Sequence, residues 1–545
     1  MAAQLQKINP EAQDSAPINL VCRLTPKAAS RLVKSAPAGE AVGYTENRLS
    51  DSELASLGEQ FELVEFCSGQ APQAYLEALE GVHPLVEAIF DGQAFQKAIR
   101  PYLKAFDMEP EHVIVAFKKA VCLLILEDCD LLGLGEALFK DRRRTYWLHR
   151  YDLLQPVLED RPGRSLAPLQ PPSHKEVSSL VNRTLALAKR LLLARRDEAP
   201  PAGRYKFLFD LKYEDLPDHP ELRAFFRYFK DRDDVLYHCP TAGSPLHELL
   251  RREGKPVTAG QRPLAGGWSR WRALGVLLGL ALRLFADRRT PASLKADILW
   301  LFDKQLAYDS VFRQVKPRYY LRPRPDADPE HPLATGLGER LGVRTIGFSH
   351  GSYPLVDPRY AYIDFDYYGL LGWWFKERVY AGIWPEKIKY LLIGPFTVEN
   401  TKSSRPTPAD SQGTVAIFPQ FGYNHNGHLT EAFMAEFIDA ACQAVSGRGR
   451  PVVYKTKNYW RSEIDRLKEK MDQDCELEIA FHRPAGDRRS DFARLKQKLG
   501  RDFSRELAVD EPASNVRLAN AQEILEECEL AIIMAESTVC WEAVG

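Results

Sequence analysis

The last sixteen residues carry the clearest chemical signal in the chain. Leu530 to Ala535 is a short apolar run of the kind that forms a buried parallel strand. Glu536-Ser537-Thr538 follows as a turn, with Ser537 and Thr538 as N-cap candidates, and Val539 to Gly545 has helical composition. A strand that passes into a helix through hydroxyl residues makes a site for an anion, because the free N–H groups of the first turn and the helix dipole both face it. Glu542 lies six residues after Glu536, a spacing that suits a ribose hydroxyl pair. The competing reading is an ordinary strand–helix join with Glu542 on a solvated face.

Other polar residues sit where strands should end. Tyr205 to Phe209 predicts a strand ending at Asp210. Val235 to Cys239 predicts another, carrying His238 between Tyr237 and Cys239, a setting that favours a buried structural histidine. Thr345 to Phe348 predicts a third, ending in Ser349-His350-Gly351-Ser352-Tyr353. In parallel sheets, ligands bind beyond such strand C-termini. Asp364-Phe365-Asp366 spells a D-x-D metal–diphosphate motif, but it enters an aromatic strand, and a chance triplet is the preferred reading. No G-x-G-x-x-G follows a first strand and no Walker A sequence is present, so neither a dinucleotide cofactor nor a P-loop is expected. The nine cysteines are scattered, without a C-x-x-C pair, which argues against zinc and against a disulfide framework. No metal and no cofactor are expected.

The elements that must position these groups read as an α/β chain. At 545 residues it exceeds one ordinary core, and a net charge of −1 gives no reason to expect nucleic acid as a partner. Three regions are predicted. Residues 1–165 form an accessory region, either α/β or mostly helical, with strands at Ile18–Leu24 and Phe61–Cys67 and an apolar helix over His112–Glu127. Arg161 to Pro172 holds four prolines and predicts a linker. Residues 173–400 alternate helix and strand as in a doubly wound parallel sheet. A Ser/Pro-rich stretch, Thr401 to Gly413, leads to residues 413–545, a second alternation with strands at Val415–Phe418, Val452–Lys455 and Val516–Ala519. About 130 residues is short for a full doubly wound domain. The expectation is therefore a truncated third region, with Gly545 not a natural domain end.

A family resemblance enters at Gly347-Phe348-Ser349-His350-Gly351-Ser352-Tyr353-Pro354. This stretch resembles the strand-to-loop signature of bacterial surface-polysaccharide glycosyltransferases of the GT-B type. Asp366-Tyr367-Tyr368-Gly369-Leu370-Leu371-Gly372-Trp373-Trp374 and Lys389-Tyr390-Leu391-Leu392-Ile393-Gly394-Pro395 fit the same pattern. Glu536-Ser537-Thr538 with Glu542 is similar to the family's donor turn. CDP-glycerol polymerases share the layout. The resemblance covers Gly203 to Gly545 and implies two Rossmann-like domains facing a cleft. It implies a nucleotide-activated sugar donor on the second domain and a glycan or lipid-linked acceptor on the first, in capsule or O-antigen synthesis. Under it, Ser537 and Thr538 would meet the donor phosphate and Lys455 would add charge. His425 and His428, in a Gly/Asn/His loop, would approach the ligand. His350 and Asp210 are the leading candidate bases, with Gly351 and Ser352 beside His350 and His238 as a third candidate; binding donor phosphate or fixing the Gly351 turn is the alternative role of His350. Polyol-phosphate transfer from a CDP-alcohol and a non-catalytic scaffold are the alternatives.

The N-terminal residues lack the apolar core of a signal peptide, and no apolar stretch has a spanning helix's length. A cytoplasmic protein is expected. Ala273 to Leu282 is the most apolar stretch, flanked by Trp268, Arg270, Trp271, Arg272, Arg283, Arg288 and Arg289. That grouping suits a peripheral membrane contact beside acidic lipid, and a buried helix with a charged start is the preferred alternative.

Overall fold

Every strand pair among the described residues is parallel, and the strands fall into three sheets. The computed structural model describes residues 17–47, 49–66, 71–158, 164–169, 174–193, 204–211, 228–229, 231–239, 241–259, 270–287, 290, 292–323, 329–349, 358–394, 413–419, 431–445, 450–456, 466–467, 469–470, 476–481, 516–519, 524–525 and 527–533.

The chain divides into two compact units. One comprises Met1–Arg190, Trp271–Asp303 and Val356–Tyr362; the other comprises Leu191–Arg270, Lys304–Leu355 and Ile363–Gly545.

The first unit holds a sheet of β1 (Ile18–Leu24), β2 (Ala41–Asn47), β3 (Glu62–Glu65), β4 (Arg144–Leu148) and β5 (Arg164–Pro168), in the order β3-β2-β1-β4-β5. The order reverses at β1, so the chain winds both ways from the centre. Residues 17–169, which the sequence left between α/β and mostly helical, are therefore α/β. Local signals start the helices. Thr25 caps the helix Pro26–Ser35, and Ser50 and Glu53 form a capping box on the helix Asp51–Gly58. The apolar helix expected over His112–Glu127 runs longer, Pro110–Leu138, and packs very closely on the sheet. A Cβ on Gly135 would lie 2.6 Å from Leu20 Cδ1 and 2.7 Å from Tyr146 Cε1, so only glycine fits there. Val21, Leu24, Leu32, Val42 and Trp147 join one core on the sheet.

One expectation for this region is corrected. The proline-rich stretch read as a linker contains β5, paired with β4 from Arg164↔Arg144 to Pro168↔Leu148. It is the last strand of the sheet, where a terminal proline costs no ladder bond.

The second unit holds two further sheets. The larger has β6 (Phe207–Asp210), β7 (Val235–Cys239), β8 (Val257–Ala259), β9 (Tyr319–Pro323), β10 (Arg344–Phe348), β11 (Tyr367–Leu370) and β12 (Lys389–Leu392), in the order β12-β11-β10-β9-β6-β7-β8. The smaller has β13 (Val415–Phe418), β14 (Val452–Thr456), β15 (Leu477–Phe481), β16 (Val516–Leu518) and β17 (Leu530–Ile533), in the order β16-β15-β14-β13-β17. Both are doubly wound, with reversals between β6 and β9 and between β13 and β17. The motif glycines of the sequence resemblance have packing roles. A Cβ on Gly347 would lie 2.6 Å from the Phe365 ring, and one on Gly369 would lie 2.7 Å from Ile393 Cδ1. His331 stacks on Phe365 with centroids 4.7 Å apart.

Candidate functional site

In the seven-stranded sheet, β6 and β9 are neighbours whose outgoing chains run to opposite sides. That leaves a crevice at their C-terminal ends. β6 reads Phe-Leu-Phe-Asp, three residues for the core and then a carboxylate at its C-terminal end. β9 brings Arg322 one residue from its end, and β7 brings His238 into register with Asp210.

These residues form one network. Asp210 Oδ1 lies 2.8 Å from His238 Nδ1, and Oδ2 accepts the Tyr320 hydroxyl at 2.6 Å. The same Oδ2 accepts Arg322 Nη1. Arg322 Nη2 continues to Glu330 Oε1 at 3.2 Å, and Lys304 Nζ stands 3.8 Å from that oxygen. Asp210, Arg322, Tyr320 and Glu330 are all buried, and Tyr308 packs edge-on to Tyr320 at 5.8 Å.

Burial alone would raise the Asp210 carboxyl. The Arg322 guanidinium and the donors from His238 and Tyr320 overcome it and hold the group well below the usual carboxylate range. Desolvation and the Asp210 charge push the Tyr320 hydroxyl well above its ordinary value. Asp210 is therefore held in its ionised form. An anchoring role suits this setting better than the expected role as a base, since a carboxylate held low is a poor proton acceptor at neutral pH. The network also revises His238. Its side chain is 23% exposed, unlike a fully buried structural histidine, and because ionised Asp210 can only accept, Nδ1 is the donor in their hydrogen bond.

The other expected site residues divide sharply. Lys455 is described: it lies one residue from the end of β14, buried rather than solvated, in the strand beside β13. His350, Gly351, Ser352, His425, His428, Glu536, Ser537, Thr538 and Glu542 lie outside the described residues. The strands that lead into the last six of these, β13 and β17, are neighbours at the third sheet's reversal, paired from Val415↔Leu530 to Phe418↔Ile533. Ser349, just before His350, is buried and donates its N–H to the Gly369 carbonyl at 2.9 Å.

The D-x-D triplet lies at the opposite end of the sheet, just before β11. Asp366 accepts Thr345 N–H at 2.8 Å and Arg344 Nη1 at 2.5 Å, and Asp364 faces Lys387 Nζ at 3.3 Å. Both carboxylates hold the entry to β10 and β11.

Sequence reasoning missed Arg322, Tyr320, Glu330 and Lys304. One signal was present. Tyr-Tyr-Leu-Arg-Pro sets a cation inside an apolar strand, and a buried arginine requires an acidic partner.

The first sheet carries a second charged cluster at its own reversal. Arg23, near the end of β1, pairs with Glu127. Asp128 accepts the backbone N–H groups of His149 at 3.0 Å and Arg150 at 2.7 Å, just beyond β4 and before the helix Tyr151–Leu158.

Comparison with known proteins adds little to this geometry. No family model matches the chain, and no curated protein matches it. Among solved structures, it is similar to MurG from Acinetobacter baumannii with a TM-score of 0.24 and 9% identity, over 52% of this chain and 68% of that one.

Proposed function

We propose that this chain is a glycosyltransferase that moves a sugar from a nucleotide-activated donor to a hydroxyl of a glycan or lipid-linked acceptor. The observation that carries the reading is the Asp210–His238 pair, pinned by Arg322 at the β6/β9 reversal. Transfer to a hydroxyl needs a base, and a histidine oriented by a buried carboxylate is the common solution. As the acceptor oxygen bonds to the sugar's anomeric carbon, the bond from that carbon to the donor phosphate breaks, and its electron pair leaves with the nucleotide. His238 Nε2 takes the hydroxyl proton, and ionised Asp210 stabilises the imidazolium that forms. Arg322 keeps Asp210 ionised throughout.

The leaving phosphate needs positive charge or fixed dipoles. For that half of the reading the residues are Lys455 on β14 and Ser537 and Thr538, which follow β17 in the sequence. The motifs around Gly347 and Gly394 favour the GT-B type in surface polysaccharide synthesis.

The test is nucleotide release, followed by mass spectrometry, from UDP-, GDP-, CMP- and CDP-linked donors with and without acceptor glycans. We expect one nucleotide-sugar to be consumed in an acceptor-dependent way. His238→Asn should lower kcat by about 10²–10⁴-fold with little change in donor KM. Consumption of CDP-glycerol alone would sink sugar transfer in favour of polyol-phosphate transfer. Calorimetry showing no nucleotide binding at all would point to a non-catalytic scaffold.

A further inference from the structure

The helix Arg270–Ala286 is buried on one side only. Ala273, Leu277, Leu280, Ala281 and Leu284 face the interior of the first unit. The other side is apolar as well. Trp271 is 76% exposed and Leu282 68%, with Leu278 and Phe285 also exposed. Positions 271, 278, 282 and 285 share one helix face. Gly275 and Gly279 lie along the same stripe with open space above them.

Charge decides what covers this face. The helix sequence holds three arginines and no acidic residue, in a chain whose net charge is −1. Arg272 and Arg283 are exposed, and Arg283 donates to the neutral Pro101 carbonyl at 3.4 Å, which leaves its charge in place. A second copy docked by two-fold symmetry would oppose arginine to arginine. An anionic lipid surface answers both features: acyl chains take the aromatic and aliphatic stripe, and headgroups take the arginines. Seventeen residues rise about 26 Å. Among the described residues no helix is long and apolar enough to cross a membrane, this one included.

We infer that the helix Arg270–Ala286 docks the protein on an anionic membrane surface through Trp271, Leu278, Leu282 and Phe285, with Arg272 and Arg283 on phospholipid headgroups. The docking stands apart from sugar transfer, and its failure would leave the proposed chemistry untouched.

The test is co-sedimentation of the full chain with vesicles of phosphatidylglycerol and phosphatidylethanolamine, against vesicles of phosphatidylcholine alone. Binding should require the anionic lipid and weaken with added salt. The pair Arg272→Gln and Arg283→Gln should weaken it about tenfold or more. The pair Trp271→Ser and Leu282→Ser should weaken it at least as much, with circular dichroism to confirm folding. Trp271→Phe keeps the stripe and serves if the serine variant misfolds: it should bind normally but lose much of the tryptophan quenching by brominated acyl chains. Equal binding to neutral vesicles, no binding, or full binding by both double variants would overturn the inference. So would a concentration-dependent dimer in light scattering that both variants abolish, which would assign the face to a second copy.

Discussion

The reversal points of the first and second sheets occupy the same topological place and manage charge in opposite ways. In the second sheet, the acid comes from the strand itself. Asp210 meets a buried guanidinium, and its carboxyl is held low. In the first sheet, the acid comes from the helix Pro110–Leu138. Asp128 is as deeply buried, but among the described residues its hydrogen-bond partners are two backbone N–H groups. Desolvation then outweighs those bonds, and its carboxyl is pushed up to about 7. The cation at that end, Arg23, pairs instead with Glu127, where both side chains remain well exposed. Burial is common to both acids. What separates a carboxyl held low from one pushed up is whether a cation is buried with it.

The largest test removes that cation. Arg322→Leu strands Asp210 in the core without its counter-charge, and breaking one side of a buried pair costs about 3–5 kcal/mol. A chain with two compact units need not unfold in one step, so hydrogen exchange of the β6 and β9 peptides is the proper readout. Protection there should fall by that amount while β1 and β4 keep theirs. Equal loss in both sheets, or none in β6 and β9, would break the contrast drawn between the two acids.

Next in size is a pair of pH limbs with opposite signs. An unfolded aspartate titrates near about 3.9. Asp210 titrates lower in the native state, so its stabilisation is complete above about pH 4 and is lost as pH falls toward its native value. Asp128 titrates higher, at about 7. Between about pH 4 and 7 the native state keeps a proton that the unfolded chain has released, so stability declines as pH rises through that window. Asp210→Asn should flatten the acid limb in β6 and β9. Asp128→Asn should flatten the neutral limb in β4 and the helix that follows it. Matching slopes in both sheets, measured by exchange at several pH values, would show that the two acids do not differ.

How much of this could be read from sequence depended on distance along the chain. Apolar runs ending in a polar residue announced β1, β6, β7, β13 and β17, because parallel buried strands advertise themselves by composition. β2, with Gly43 inside it and Thr45-Glu46-Asn47 at its end, lacks such a run, and β5 sits on an edge where proline is tolerated. Asp210 was visible as a strand-end carboxylate. Its partner Arg322 was not, since the two are 112 residues apart and only the β6–β9 pairing joins them. The same holds for His238: its neighbours Tyr237 and Cys239 suggest burial, while its register with Asp210 is a property of the sheet.

The smallest expected effect sharpens the comparison most cheaply. Arg23→Leu removes the first sheet's strand-end cation, as Arg322→Leu removes the second's. The side chains of Arg23 and Glu127 are 38% and 46% exposed, so water solvates Glu127 once its partner is gone. Pairs of that kind contribute about 0.2–1 kcal/mol. Exchange in β1 should therefore change by less than about tenfold, and the change should shrink further in high salt. A loss as large as that of Arg322→Leu would mean that Arg23 also sustains Asp128 and the turn into the helix Tyr151–Leu158. The two reversal points would then be variants of one buried-charge design.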